Sequence, residues 1–371
     1  MKKTPRWKKN FSPRSLPLLL STCAVLYACK PGGETSDVTI LPPVSFGESA
    51  DLRALLVSET NNCLYVADHN QKQIHCVDLT THAINNDAAL ATTANGKPVA
   101  MAMSPDKTLL AVATEDATTG SQVEVISFDT KSRKSCGLPV TPNSIAVTST
   151  NEIYVGTGAQ NGAIYSCIPV PQGTVASLFD SNYNRIAGMS HDGNTLFTAT
   201  PDLSSVGVRQ LDAVSASAVS AYNLFGTPST LKPSYGWVMF RPDDRQALVL
   251  TNMTESDGNY LPTYSVERKP LNLSKITPPL RPTFIPNALA FLQPLHRAVM
   301  THASTAPNWS TRHNAAQTDL HVFDTDTGDE IAHYDVGDHV RENGLAVDQY
   351  NAIYMLLGET QATRVGIVTP P

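Results

Sequence analysis

One short pattern, present seven times, limits this chain more than any other feature. It reads LYVAD from residue 64, LAVAT from 110, IYVGT from 153, LFTAT from 196, LVLTN from 248, AVMTH from 298 and IYMLLG from 353. The spacings are 46, 43, 43, 52, 50 and 55 residues. Around each copy the order is the same. A small apolar strand comes first, as in VAMAM, SIAV, ALAF and GLAV. A turn follows (SPDK from 104, SHDG from 190, RPDD from 241), where Pro, Asp and Gly set or tolerate the required dihedrals. After the patterned strand come a polar hairpin, a third strand and a turn with Asp-x-x-Thr/Ser: Asp78 to Thr81, Asp129 to Ser132, Asp212 to Ser215 and Asp324 to Thr327. An Asp there accepts backbone N–H groups two residues on and stabilises the turn into an outermost strand. Helical periodicity is absent beyond the first thirty residues. A period of 40 to 50 residues built from short strands is the pattern of β-propeller blades.

The seventh copy supplies three strands, GLAVD, AIYMLLG and TRVGIV, before TPP. Near the other end, DVTIL (37–41) is strand-like and has no blade of its own. The expected fold is therefore all-β: a seven-bladed propeller over residues 37–371, its ring closed by the N-terminal strand pairing onto the last blade. An open ring would leave exposed edges. The other reading of 37–41 is a tether without structure.

Residues 1–28 are not expected to belong to the fold. Six basic residues and no acid precede the apolar stretch LPLLLSTCAVLYA, the layout of a secretory signal peptide and too short to span a bilayer. The sequence Leu26-Tyr27-Ala28-Cys29 resembles the lipobox of bacterial lipoproteins, with Tyr27 where a small residue is usual. That resemblance implies lipidation at Cys29, a tether over 29–36 and, with Lys30 following, an outer-membrane lipoprotein of the cell envelope held by lipid and not by a span. An ordinary cleaved signal with an incidental cysteine is the alternative. Removing six positive charges from a net −6 leaves −12. So acidic a chain is poorly suited to nucleic acid or an anionic lipid surface. A monomer is expected.

The segments VISFDTKSR and VFDTDTGDEI, each after a hairpin, look like the YVTN-type propeller repeats of bacterial surface proteins, within the lactonase-like propeller superfamily. The resemblance covers roughly residues 37 to 369. It bears on the fold far more than on activity, since propellers host unrelated functions.

Four cysteines follow the leader, and four allow three pairings. Cys63 and Cys76 are expected opposite one another across a hairpin centred between His69 and Asn70, within disulfide reach. Cys136 and Cys167 then remain, on neighbouring blades. Buried free thiols are the alternative.

In a propeller the turn leading into each innermost strand lies at one mouth of the central channel. Across the seven copies this position reads Arg53, Val99, Asn143, Arg185, Gly236, Asn287 and Asn343, with Tyr235 and Glu342 among the residues just before it. Together they would form a polar pocket. PNSIAV, PNALAF and ENGLAVD resemble the Asn-containing turns of lactonases and related metal-dependent propellers, where asparagine oxygens help hold a divalent cation. By that resemblance Asn143, Asn287 and Asn343 stand at metal-ligand positions for calcium or magnesium, beside Glu342. Arg53 stands where such enzymes tend to place a carboxylate. Capping of the tight turns would equally account for the asparagines. Arg53 and Arg185 suit an anionic ligand or a partner acid at the rim.

The connection after the sixth copy is the longest, with His302, Trp309 and His313, and reads as a solvated or partner-binding loop. GTGAQNG from 156 lacks the helix of a phosphate loop, and DTDTGDE from 324 coincides with the repeated Asp turn. No G-x-S-x-G or H-E-x-x-H occurs. Three functions follow, in order of preference: a non-catalytic binding or scaffold module for a protein or glycan, a metal-dependent lactonase-like hydrolase or lyase, and a receptor for a small anion.

Overall fold

The computed structural model describes residues 38–371 except 92–95, 117–119, 159–161, 168–173, 200–205, 212–219, 223–236, 243–245, 251–253, 256–257, 260, 269–270, 281–285, 294–295, 303–317, 359–360 and 370–371. Among these residues the structure is all-β, and its helical content is one 3-10 turn, Asn86–Ala88. Seven sheets of four or five strands follow one another along the chain, joined by one two-stranded ribbon, Thr254–Glu255 with Gly258–Asn259.

In the first sheet the strands run Leu52–Ser58, Cys63–Asp68, Gln73–Asp78 and Leu90–Ala91, each beside the next. The later sheets repeat this meander, with innermost strands Lys97–Met103, Ser144–Val147, Arg185–Met189, Trp237–Phe240, Pro286–Leu292 and Val340–Val347. The seventh takes its outermost strand from the other end of the chain: Thr39–Ser45 pairs antiparallel with Arg364–Thr369, Ile40 opposite Val368. The stretch expected over 37–41 is thus a strand running to Ser45.

The patterned strand is the second of each sheet, and its burial explains its composition. Cys63–Asp68, Ile153–Gly156, Thr195–Ala199 and Ile353–Leu357 are buried at every residue. A strand covered on both faces reads as a continuous apolar run, with no alternation. The outermost strand Glu330–Asp335 alternates exposed and half-buried residues instead. The core lies between consecutive sheets. Tyr65 and Ile74 meet Leu110 and Val112 between the first and second, and Val123 meets Val155 between the second and third. Tyr154 and Ile164 meet Ile186 and Leu196, and Phe197 meets Phe240 edge to face at 5.1 Å. Leu248 meets Leu289, Val299 meets Met355, and Leu64 and Val66 meet Tyr354 and Ile367 between the last sheet and the first. Each such buried aliphatic side chain contributes about 1.5–3 kcal/mol.

The recurring Asp turns behave as expected at two places. Asp78 Oδ1 accepts from the backbone N–H of Thr80 and Thr81 at 2.9 and 2.7 Å, and Asp324 Oδ1 from those of Asp326 and Thr327 at 2.8 and 2.9 Å. In the second sheet Ser127 Oγ accepts from the Thr130 backbone, and Thr130 Oγ1 bonds Ser132 Oγ at 2.7 Å. Asp212 and Ser215 lie outside the described residues.

Two disulfides form, Cys63–Cys76 and Cys136–Cys167, with Cα atoms 5.5 and 6.3 Å apart. The first pair is not directly opposed, as the sequence led us to expect. Cys63 faces Asp78 and Tyr65 faces Cys76, so the bridge is diagonal. The hairpin loop is the four residues His69 to Lys72, because Asp68 Oδ1 accepts from the N–H groups of both Asn70 and Gln71 at 3.0 Å. The second bridge joins the fourth strand of the second sheet, Arg133–Leu138, to the third strand of the third sheet, Ile164–Cys167. Beside it Thr174–Val175 pairs parallel with Arg133–Leu138, adding a fifth strand to the second sheet.

Candidate functional site at the leading ends of the innermost strands

Several innermost strands carry a bulge close to where they begin. In the first sheet Leu52 pairs with Asp68 and Ala54 with Ala67, which leaves Arg53 as the extra residue. Val99 and Asn287 stand likewise in the second and sixth sheets. A bulge bends the strand and re-aims a side chain, so Arg53, Val99 and Asn287 are equivalent, as the repeat alignment expects. The seventh sheet departs from it. Val340 faces Leu357 as Leu52 faces Asp68, and the ladder resumes only at Leu345 opposite Met355. By register the counterpart of Arg53 is Arg341. Asn343 lies within the wide bulge, exposed, with φ of +54°. Asparagine tolerates this left-handed backbone better than most residues.

Arg53 and Arg341 converge on one carboxylate. Arg53 Nε donates to Asp51 Oδ2, and Arg341 Nη1 to Asp51 Oδ1, both at 2.6 Å. Arg341 Nη1 also donates to the Leu52 carbonyl at 3.0 Å. Asp51 is 5% exposed. Burial pushes its carboxyl upward, but the two guanidiniums more than offset that and hold it below the usual carboxylate range. Across the first hairpin, His69 Nδ1 lies 3.5 Å from Asp51 Oδ2, and His69 Nε2 lies 2.6 Å from Glu115 Oε1 of the second sheet. Charged and polar groups from sheets seven, one and two therefore form one chain, Arg341–Asp51–His69–Glu115. Beneath it Asp68, fully buried, accepts from the Asp51 N–H at 3.2 Å and lies 3.5 Å from His75 Nε2. Burial raises the Asp68 carboxyl, and His75 with the surrounding N–H donors brings it below its ordinary value. Phe46 covers the His75 ring at 4.8 Å.

The three asparagines face three environments. Asn287 is buried and engaged at both ends of its amide: Nδ2 donates to the Val340 carbonyl at 2.7 Å, and Oδ1 accepts from Thr301 Oγ1 at 2.5 Å. It ties the sixth sheet to the seventh. Asn143 is half-buried; its Oδ1 accepts from Ser144 Oγ at 2.8 Å, and that hydroxyl accepts from the Ile186 N–H at 2.9 Å. Asn343 is exposed. Among the described residues no group of three or more His, Cys, Asp or Glu is placed to hold a metal ion. For a calcium or magnesium ion, which takes six or more oxygens, the oxygen of Asn287 already has a buried donor.

Arg185, half-buried at the start of the fourth sheet, feels the charge of Glu342 on the seventh. Burial lowers the guanidinium below its ordinary value, and Glu342 opposes that shift. Two sequence-predicted residues from distant sheets thus share one electrostatic environment. His302 ends the strand Arg297–His302, and its backbone pairs with Pro286. Cys29, Tyr235, Trp309 and His313 lie outside the described residues. Asp51, Arg341, His69 and Glu115 were not among the residues expected from sequence. Only the register, which aligns Arg341 with Arg53, would have found one of them.

No family model matches the chain, and no curated protein sequence matches it. Solved structures do resemble it. The β-propeller domain of Cps50 (Swd1) from Myceliophteria thermophila superposes with a TM-score of 0.67 at 10% identity, covering 90% of this chain and 100% of that one. Hydrazine synthase from Kuenenia stuttgartiensis gives 0.61 at 13% identity over 87% of this chain and 96% of that one. A functionally unknown protein from Desulfotomaculum acetoxidans gives 0.56 at 13% identity, covering 76% and 84%. At such identities the likeness is one of fold. The chain has a β-propeller fold.

Proposed function

We propose that the chain is an exported lipoprotein of the bacterial cell envelope, anchored at Cys29, whose propeller binds a protein or glycan without chemistry of its own. In this reading the seven sheets are seven blades of YVTN type, in a ring that Thr39–Ser45 closes. The observation that carries it is the engagement of the polar residues at the leading ends. Asp51 is held by Arg53 and Arg341, His69 bridges toward Glu115, and Asn287 binds the next sheet. These groups join blades to one another. Beside them Glu342, which shares a field with Arg185, and Asn343 are exposed and supply a polar recognition rim. The half-buried Arg185 favours a second reading, a receptor for a small anion.

The test is thermal unfolding of the mature chain with calcium, with magnesium and with EDTA, followed by screening of envelope glycans and envelope proteins. A ligand of the native state at one hundred times its Kd adds about 2.7 kcal/mol. The proposal expects no cation-dependent rise, and a glycan or protein whose binding weakens in Glu342→Lys. A cation-dependent rise that is lost in Asn143→Ala, with lactone hydrolysis, would overturn it in favour of the metal-dependent hydrolase. Stabilisation by a small anion, lost in Arg185→Ala, would favour the receptor.

A further inference from the structure

His69 is a buried imidazole with a carboxylate beside each nitrogen. It opens the hairpin loop of the first sheet, where its backbone N–H donates to the Asp51 carbonyl at 2.9 Å. Nε2 lies 2.6 Å from Oε1 of Glu115, the last residue of the strand Leu109–Glu115 in the second sheet. Nδ1 lies 3.5 Å from Asp51 Oδ2, buried and without a hydrogen bond. Both Asp51 oxygens are already engaged, one by Arg53 and one by Arg341.

A neutral imidazole has one N–H to give. With that proton on Nε2 the ring binds Glu115 and turns a lone pair toward the Asp51 carboxylate. With it on Nδ1, two acceptors face each other across the shorter contact. A charged imidazole has an N–H for each side, and both bonds are then charge-assisted. Only the charged ring can serve both carboxylates. Histidine is the side chain that ordinarily makes this change between about pH 5 and 8.

The other charges around the ring do not answer its second nitrogen. Asp68 gives Oδ1 to the N–H groups of Asp51, Asn70 and Gln71, and its Oδ2 faces His75 at 3.5 Å. Lys97, at the start of the innermost strand of the second sheet, stands directly opposite Glu115 in the ladder. Opposed residues have Cβ atoms about 4.5–5.5 Å apart, close enough for a lysine and a carboxylate to interact. Glu115, whose side chain is 35% exposed, thus has a lysine on its own sheet and a histidine on the first.

We infer that His69 is an acid-strengthened latch between the first and second sheets at the leading end. Charged, it ties Asp51 to Glu115 and completes the run that starts at Arg341. Neutral, it holds at most one of the two carboxylates, and Glu115 is left to Lys97. The latch therefore contributes while the ring is charged and is lost as pH rises through the histidine range. This is distinct from the acid loss through Asp51 and Asp68, which sets in below about pH 4. It holds whatever the leading end binds.

The test is a double-mutant cycle on the full chain: the parent, His69→Gln, Glu115→Gln and the two together, unfolded in urea at about pH 5.5 and about pH 8. The expected result is a coupling between the two positions of about tenfold in the unfolding constant at the acid value. At the alkaline value it should fall to about twofold or less. Equal coupling at both values, or none at either, overturns the inference. If His69→Gln does not fold, Glu115→Gln alone decides. The parent should gain more stability than this variant from the alkaline to the acid value, and an equal gain overturns the latch. Lys97→Met should lower stability at the alkaline value only. An equal loss at both overturns the exchange of Glu115 between His69 and Lys97.

Discussion

The second and third sheets are held by a covalent bond, the seventh and first by a carboxylate between two guanidiniums. Cys136 and Cys167 are 31 residues apart, whereas Arg341 and Asp51 are 290 apart. The first bond closes a modest loop and acts on the unfolded chain as much as on the folded one. The second contributes only once nearly the whole chain has folded, because its groups arrive from opposite ends of the sequence. Of the two it is the one that reports on completion of the fold, and it responds to pH.

The largest expected effect breaks the covalent seam. Replacing Cys136 and Cys167 together with alanine should lower unfolding stability by about 3–4 kcal/mol in urea titrations, from the loop length alone. Asp51→Ala should follow at about 2–3 kcal/mol, less than a fully buried pair because both arginines reach solvent. The two losses should add if the seams are independent. Next comes Asn287→Ala, which leaves the Val340 carbonyl and the Thr301 hydroxyl without their partner, at about 2 kcal/mol. Acid sharpens the same contrast. Asp51 and Asp68 are held below their ordinary values, so their contribution is complete above about pH 4 and is lost as pH falls through the lowered values. A melting series from pH 6 to 2 should show that loss in the parent and less of it in Asp51→Ala, while the disulfide variant keeps the parent's slope. The smallest effect is at Asn343. Asn343→Ala should lose about 1 kcal/mol and Asn343→Gly almost nothing, since the demand there is a left-handed backbone.

The repeat announced the fold because a strand buried on both faces has little choice but an unbroken apolar run, and seven such runs are hard to miss. The strand at Thr39–Ser45 was legible because the seventh copy is one strand short. The pairing of the cysteines was legible, but the hairpin register was not. Sequence symmetry about His69 and Asn70 ignores the hydrogen bonds by which Asp68 begins a four-residue loop centred between Asn70 and Gln71. At the candidate site the alignment places Arg53 and Asn287 at equivalent bulges, whereas in the fourth sheet Arg185 pairs with Ala199 and the extra residue is Ala187. Arg341 was hidden by the wide bulge after Val340, which shifts the count and brings an Asn-Gly pair into false correspondence. His69 and Glu115 occupy the same place in the first two copies, directly after LYVAD and LAVAT, but differ in residue type, as Asp51 differs from its counterpart Lys97. Their meeting with Arg341 is a property of three sheets together, which no single repeat records.

The short strand Thr174–Val175 has a consequence for crowding. A sheet edge ordinarily offers its unpaired amides to any passing strand, and crowded copies of one chain meet often. By lying along Arg133–Leu138 the chain fills part of that edge with itself. Covalent attachment nearby, through Cys136 and Cys167, keeps the cover from peeling away. The second sheet is thereby guarded along that stretch against strand exchange with a neighbouring copy, a protection that matters most where the local concentration is high.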